Sequence, residues 1–175
     1  MKTAKVKEQF VALYESQADA VFRFCWFKTS DRELALDLTQ DTFSRFWAKL
    51  VAGETVDNPR AFIFTIARHA VIDWYRSKKS LPFNRLSLAE EEMEFDPPAE
   101  GTKQLELELG AEARLLMLKI NQLEPGYKQV VYLRFIEDLK PQEIAQIIGA
   151  SVNVVSVRIT RGLAKLRELI GINLN

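Results

Sequence analysis

The stretch that decides the fold runs from Pro141 to Leu169 and reads PQEIAQIIGASVNVVSVRITRGLAKLREL. A short apolar-periodic segment, Pro141 to Ile148, stops at Gly149, and Ser151 stands where it can cap a second, longer helix. The spacing of Ala145, Gly149 and Val155 fits a helix-turn-helix. A small residue lets two helices cross closely, glycine takes the turn with positive φ, and a β-branched residue fills the core. On a helical wheel Val152, Val155, Ile159, Leu163, Leu166 and Ile170 point inward. Asn153, Val154, Val157, Arg158, Thr160, Arg161 and Lys165 point outward. Small polar and apolar side chains followed by arginines suit a DNA major groove. Asparagine can read adenine, valine can touch a thymine methyl, and arginine can bind guanine or phosphate. A purely structural helical hairpin is the alternative.

Upstream lies a second informative stretch, ARHAVIDWYRSKKS, from Ala67 to Ser80. Asn58 and Pro59 form a helix start, cap followed by first-turn proline. The wheel for this helix gathers Ile63, Ile66, Ala67, Ala70 and Trp74 on the core side. Arg68, His69, Ile72, Tyr75, Arg76 and Lys79 fall on the other. Cations hold phosphates and flat rings receive unstacked bases, so this face suits single-stranded or opened nucleic acid. An ordinary amphipathic helix with solvated arginines is the plainer reading. The preceding helix, near 33–50, turns Leu36, Phe43, Phe46, Trp47 and Leu50 inward. Its other face shows Leu34, Asp37, Leu38, Gln40, Asp41, Ser44 and Arg45. Two leucines on one outer face, rimmed by polar groups, point to a docking surface.

Charge divides the chain into three blocks. Net charge is zero over 175 residues, yet residues 1–80 carry 13 Lys/Arg against 10 Asp/Glu. Residues 81–110 carry 2 against 8, and residues 111–175 carry 9 against 6. Two mildly basic blocks thus flank an acidic one. Pro97 and Pro98 forbid a helix across the middle, so 81–102 reads as a linker between two small helical domains, 1–80 and 103–175. The expected fold is all-α, with helices near 5–28, 31–51 and 59–79 before the linker. After it, helices are expected near 103–123, 126–137, 141–149 and 152–170.

Composition narrows the function classes. The single cysteine, Cys25, permits no intramolecular disulfide and no four-thiolate zinc site. With one histidine, no ordinary catalytic triad, phosphate-cradling glycine loop or ligand-spaced metal cluster can be assembled, so an enzyme is not expected, nor any cofactor or metal. No apolar run approaches the roughly 20 residues of a membrane span, and the N-terminus is too polar for a signal peptide. A cytoplasmic location is the expectation.

Three segments together resemble one family: ELALDLTQDTFSRFWAKL, NPRAFIFTIARHAVIDWYRSKKS and LEPGYKQVVYLRFIEDLKPQEIAQIIGASVNVVSVRITRGLAKLREL. They are similar to the signature segments of extracytoplasmic-function sigma factors, the promoter-specificity subunits of bacterial RNA polymerase. Their order and the linker match too. The resemblance implies the second and fourth sigma domains alone. Leu34, Asp37, Leu38, Gln40, Asp41 and Arg45 would dock on the clamp coiled coil of the polymerase largest subunit, and the flap region would be a further polymerase contact. The Gly53–Asn58 loop, including Asp57 and Asn58, would hold a flipped base of the −10 element. Arg68, His69, Ile72, Tyr75, Arg76 and Lys79 would hold the opening strand. The outward face of the 152–165 helix would read the −35 element. The acidic linker would thread near the RNA exit path. Also implied are an anti-sigma factor or similar regulator and a monomeric free state.

Against that pattern, His69 replaces the usual asparagine, Ser156 and Val157 stand where lysine and serine are commoner, and Lys140 stands where a serine cap is usual. The rival reading is a stand-alone helix-turn-helix regulator, which would dimerise and bind a palindrome without polymerase. A helical adaptor with no DNA role is a third.

Overall fold

In a computed structural model the described residues are 2–79 and 110–171, and the predicted linker lies outside them. They form seven α-helices and no strand: α1 (Lys2–Thr29), α2 (Arg32–Val51), α3 (Pro59–Lys79), α4 (Ala111–Asn121), α5 (Pro125–Phe135), α6 (Pro141–Ile148) and α7 (Val152–Ile170). The fold is all-α, as the periodicity predicts. Of the helix expected at 103–123, the portion before Gly110 falls outside the described residues. The chain divides into two compact units, one containing α1–α3 and the other α4–α7.

In the first unit each helix packs on the other two. Val21, Phe24, Cys25, Trp26 and Phe27 of α1 are buried with Ala35, Phe43, Phe46 and Leu50 of α2. From α3 come Ala61, Ile63, Phe64, Ile66, Ala67, Ala70 and Val71. Local chemistry fixes the helix starts. Asp31 accepts the Leu34 N–H at 3.0 Å and Asn58 accepts the Ala61 N–H at 3.0 Å.

The mutual packing of three helices overturns part of the wheel assignment. Arg68 and Ile72, expected outward, are buried, with only 2% of Arg68 exposed. Leu38, expected as an exposed docking residue, is also buried, while Leu36, expected inward, is half-buried. A helix with two neighbours buries a wider arc than the single stripe a wheel assumes. Trp47 and Trp74, placed in the core, are half-buried.

The second unit packs α7 on α4, α5 and α6. The turn between α6 and α7 bends the chain by 108° at Gly149, whose φ is 67°. Ala145 is buried and Val155 fully so, which matches the predicted helix-turn-helix. Ser151 accepts the Val154 N–H at 3.2 Å. Where a serine cap is missing at Lys140, the Lys140 N–H donates to the Glu143 carboxylate at 2.8 Å, the reciprocal half of a capping box. Gly162 marks the closest approach. A Cβ there would lie 2.7 Å from Val131 Cγ2 and 3.2 Å from Tyr127 Cβ, so only glycine lets α7 lie this close to α5. Val152 and Ile170, expected inward, are exposed at about 40% because they occupy the two end turns of α7, where partner helices stop covering it.

Candidate polymerase and nucleic-acid interfaces

The open surface of α2 carries Asp37, Gln40, Ser44 and Arg45, with Leu34 and Asp41 half-buried. Without Leu38 this face is more polar than the sequence predicts. Arg45 is held at both ends: its Nε is 2.9 Å from Asp41 and its Nη1 3.4 Å from Asp73 of α3. The hydrogen bond that Arg45 donates to the Asp41 carboxylate leads in raising the Arg45 pKa above its ordinary value. Beside Gln40 and Ser44 opens a groove of about 740 Å³ walled by Phe10, Val11, Tyr14, Phe43 and Trp47. Phe10 packs 5.2 Å from Trp47, and Tyr14 4.8 Å from Phe43, edge to face. The wheel for α2 did not find this groove because it is built by two helices. The signal available was the pair Phe10 and Tyr14, four residues apart on α1.

On α3 the open stripe is narrow. Between Ala61 and Ile72 only Phe62, Thr65 and His69 escape full burial, and Asp73 and Arg76 extend the same row. Their spacing of three, four, four and three is one helical stripe. Phe62 was missed by sequence reasoning. Its ring lies 5.8 Å from the Lys49 ammonium, which also pairs with Glu54 at 2.8 Å. His69 is half-buried, and its pKa is lowered, first by burial and then by the Arg68 charge, with Asp73 opposing. The imidazole is therefore neutral at pH 7, able to donate from one nitrogen and accept at the other. Arg76 lies 4.0 Å from Asp73. Tyr75, expected to face nucleic acid, instead donates its hydroxyl to the Lys28 carbonyl at 2.8 Å and braces α3 against α1. The side chain of Lys79 lies outside the described residues.

The loop between α2 and α3 exposes Gly53 to Thr55 and Asp57, with Val56 and Asn58 half-buried. It roofs a cavity of about 550 Å³ whose walls include Leu13, Phe46, Leu50, Val56 and Pro59.

In the second unit, Asn153, Val154, Val157, Thr160 and Arg161 are exposed on α7 as predicted, and Arg158 is half-buried. Arg158 and Arg161 border a groove of about 380 Å³ that runs to Glu124 and Tyr127 at the start of α5. Lys165 is drawn to the same flank, hydrogen-bonded to Glu124 at 2.5 Å and 4.9 Å from the Tyr127 ring. That bond is the main cause raising the Lys165 pKa. Glu124 and Tyr127 were not anticipated, since nothing in their spacing ties them to a helix forty residues away.

Among the described residues no group of His, Cys, Asp and Glu could hold a metal ion. None of the described helices alone is long and apolar enough to cross a membrane.

Comparison with known proteins finds a match for each of the two units. The family model "Sigma-70 region 2" matches residues 13–81, and "Sigma-70, region 4" matches residues 113–166. Together they cover more than two thirds of the chain, in that order. The chain belongs to the extracytoplasmic-function sigma factors. It is 26% identical to the RNA polymerase sigma factor YlaC of Bacillus subtilis, over 94% of this chain and 93% of that one. With the ECF sigma factor SigX of the same organism it shares 25% identity, over 93% of this chain and 84% of that one. A solved CnrH, in complex with the cytosolic domain of CnrY, superposes with a TM-score of 0.67 at 25% identity, covering 99% of this chain and 97% of that one. RpoE from Bartonella quintana, in complex with the anti-sigma factor NepR, gives 0.68 at 20% identity, covering 95% and 99%, and so shares the fold. The α1–α3 unit of this sigma factor is region 2 and the α4–α7 unit is region 4. Sigma factors are initiation factors and not catalysts. A stand-alone helix-turn-helix regulator leaves the region 2 match unexplained.

Proposed function

We infer that the chain is a promoter-specificity subunit that binds core RNA polymerase and directs initiation by reading two promoter elements and helping to melt DNA. The observation that carries this reading is the paired occurrence of region 2 and region 4 in one short chain. Residues 1–80 form the region 2 domain, 81–102 a linker, and 103–175 the region 4 domain.

Core polymerase docks through its clamp coiled coil on Leu34, Asp37, Gln40, Asp41 and Arg45, with the aromatic groove of Phe10, Tyr14 and Trp47 taking apolar side chains at the edge of the contact. The roles once given to Leu38, Arg68 and Ile72 pass to the scaffold, because buried side chains cannot touch a partner. The opened −10 strand lies along Phe62, His69 and Arg76. The Gly53–Asn58 loop, Asp57 and Asn58 included, holds one displaced base. Its cavity, walled by apolar Leu13, Phe46 and Val56 and by polar Gln9, Glu54 and Thr55, is large enough to admit a base, which supports this assignment. Region 4 reads the −35 element as a duplex through Asn153, Val154, Val157 and Thr160, with Arg158 and Arg161 on the backbone, and contacts the flap region. The anti-sigma factor in the Bartonella complex supports a regulator of that kind here. The free protein is a cytoplasmic monomer.

The test is in vitro transcription. The chain is added to core polymerase on genomic templates, and start sites are mapped. Specific new transcripts are expected. Failure to bind core, or binding without any specific start, overturns the reading.

A further inference from the structure

Within α7 the exposed surface is sorted by chemistry. Its middle row, Asn153, Val157, Thr160 and Ala164, carries no charge. Val154, Arg158, Arg161 and Lys165 form the adjacent row, whose three cations stand beside the start of α5. In the middle row the Thr160 hydroxyl donates to the Ser156 carbonyl at 3.0 Å, which leaves the Asn153 amide as that row's main hydrogen-bonding group. At the N-terminal end, where a recognition helix meets base edges, Val154 is 41% exposed and Val157 47% exposed. Isolated exposed valines need no explanation, but two that crown the entering end of a duplex-reading helix present methyl groups to the base edges. The cap from Ser151 to the Val154 N–H fixes that end.

We propose that region 4 of this chain reads its duplex mainly through thymine C5 methyl groups, with Val154 and Val157 as the specificity-determining side chains. The inference rests on the reading of α7 as the −35 duplex reader. Thymine differs from uracil only by that methyl group, and 5-methylcytosine carries the same methyl on a pair with a different hydrogen-bond pattern. Valine makes no hydrogen bond, so it tells bases apart by this group alone. Arg158 and Arg161, one and two turns farther from the entering end of the helix, grip phosphates and add affinity without sequence preference.

The experiment uses holoenzyme assembled from core polymerase and the full chain, on a promoter whose −35 element has been mapped. Each thymine of the element is replaced singly by deoxyuridine, and binding is titrated. At one or two positions the loss of the methyl is expected to weaken binding about fourfold, the worth of one methyl group removed from water. Val157→Ala is expected to abolish the sensitivity at one such position and leave the other, and Val154→Ala the reverse. Restoring a methyl with 5-methylcytosine, where cytosine has replaced the sensitive thymine, recovers part of the loss in the parent and none in the matching alanine variant. Both valines are exposed, so the variants retain the fold, as circular dichroism checks. Full tolerance of deoxyuridine throughout an element that still discriminates among the four bases overturns the methyl readout and leaves the proposed function standing. Binding with no preference anywhere in the upstream element removes both.

Discussion

Ser30 ends α1 in the left-handed region at φ 57°, where an L side chain is disfavoured, and its buried hydroxyl finds no hydrogen-bond partner among the described residues. Its N–H still reaches the Trp26 carbonyl at 2.8 Å, a bond any residue could make. Ser30→Gly is therefore expected to stabilise region 2, by roughly 0.5–1 kcal/mol, read as a rise in the denaturant midpoint. His69 gives a second prediction at this scale. Its folded pKa lies below the ordinary 6.5, so between those two values the unfolded chain binds more protons than the native one. Stability then falls as pH drops from about 7 through the folded pKa. Denaturation midpoints from pH 7.5 to 5.5 should show this slope, and His69→Asn should lessen it. An unchanged slope would place the titration elsewhere. Cys25 contributes nothing here, because burial pushes its thiol up to about 12.

Gly162 is the clearest case at the scale of elements. Alanine is the better helix former by about 1 kcal/mol, but its methyl would meet the fully buried Val131 at 2.7 Å. Overpacking of this kind costs roughly 1–3 kcal/mol, so Gly162→Ala is expected to destabilise region 4. Combining it with Val131→Ala, in chemical denaturation, should give less loss than the two single changes summed. The docking face yields another prediction. Leu38→Asp should lower the stability of region 2 by several kcal/mol, since it buries a charge, whereas Asp37→Arg should leave stability unchanged and weaken binding to core. A pull-down titration against a denaturation curve separates the two. Legibility in the sequence follows the same division. Helix starts and stops were readable because Asn58, Ser151, Gly149 and the first-turn prolines act locally. The open face of α7 was readable because its partners lie on the opposite side. On α2 and α3 the wheel misplaced Leu38, Arg68 and Ile72, because two neighbouring helices widen the covered arc. The groove between Phe10 and Trp47 needs two helices, and no single-helix pattern contains it.

Over the whole molecule, a net charge of zero conceals two basic blocks separated by an acidic one. Affinity of the holoenzyme for promoter DNA should fall as salt rises, and removing Arg158 or Arg161 should flatten the log–log slope by about one each. Titrations at several salt concentrations, on promoter and unrelated duplexes, test this. Equal weakening on both is expected, and a loss confined to the promoter would make the arginine a base reader. The seam at Gly162 reaches further. Val155, Gly162 and Leu166 fasten α7 from behind, while Asn153, Val154, Val157 and Thr160 are exposed on its outer side. Scaffold and text are thus written in separate letters of the same helix. Such a chain can drift to a new regulon through changes at 153, 154, 157 and 160 without passing through unfolded ancestors. A randomised library at those four sites should consist mostly of well-folded proteins that differ in the promoters they open.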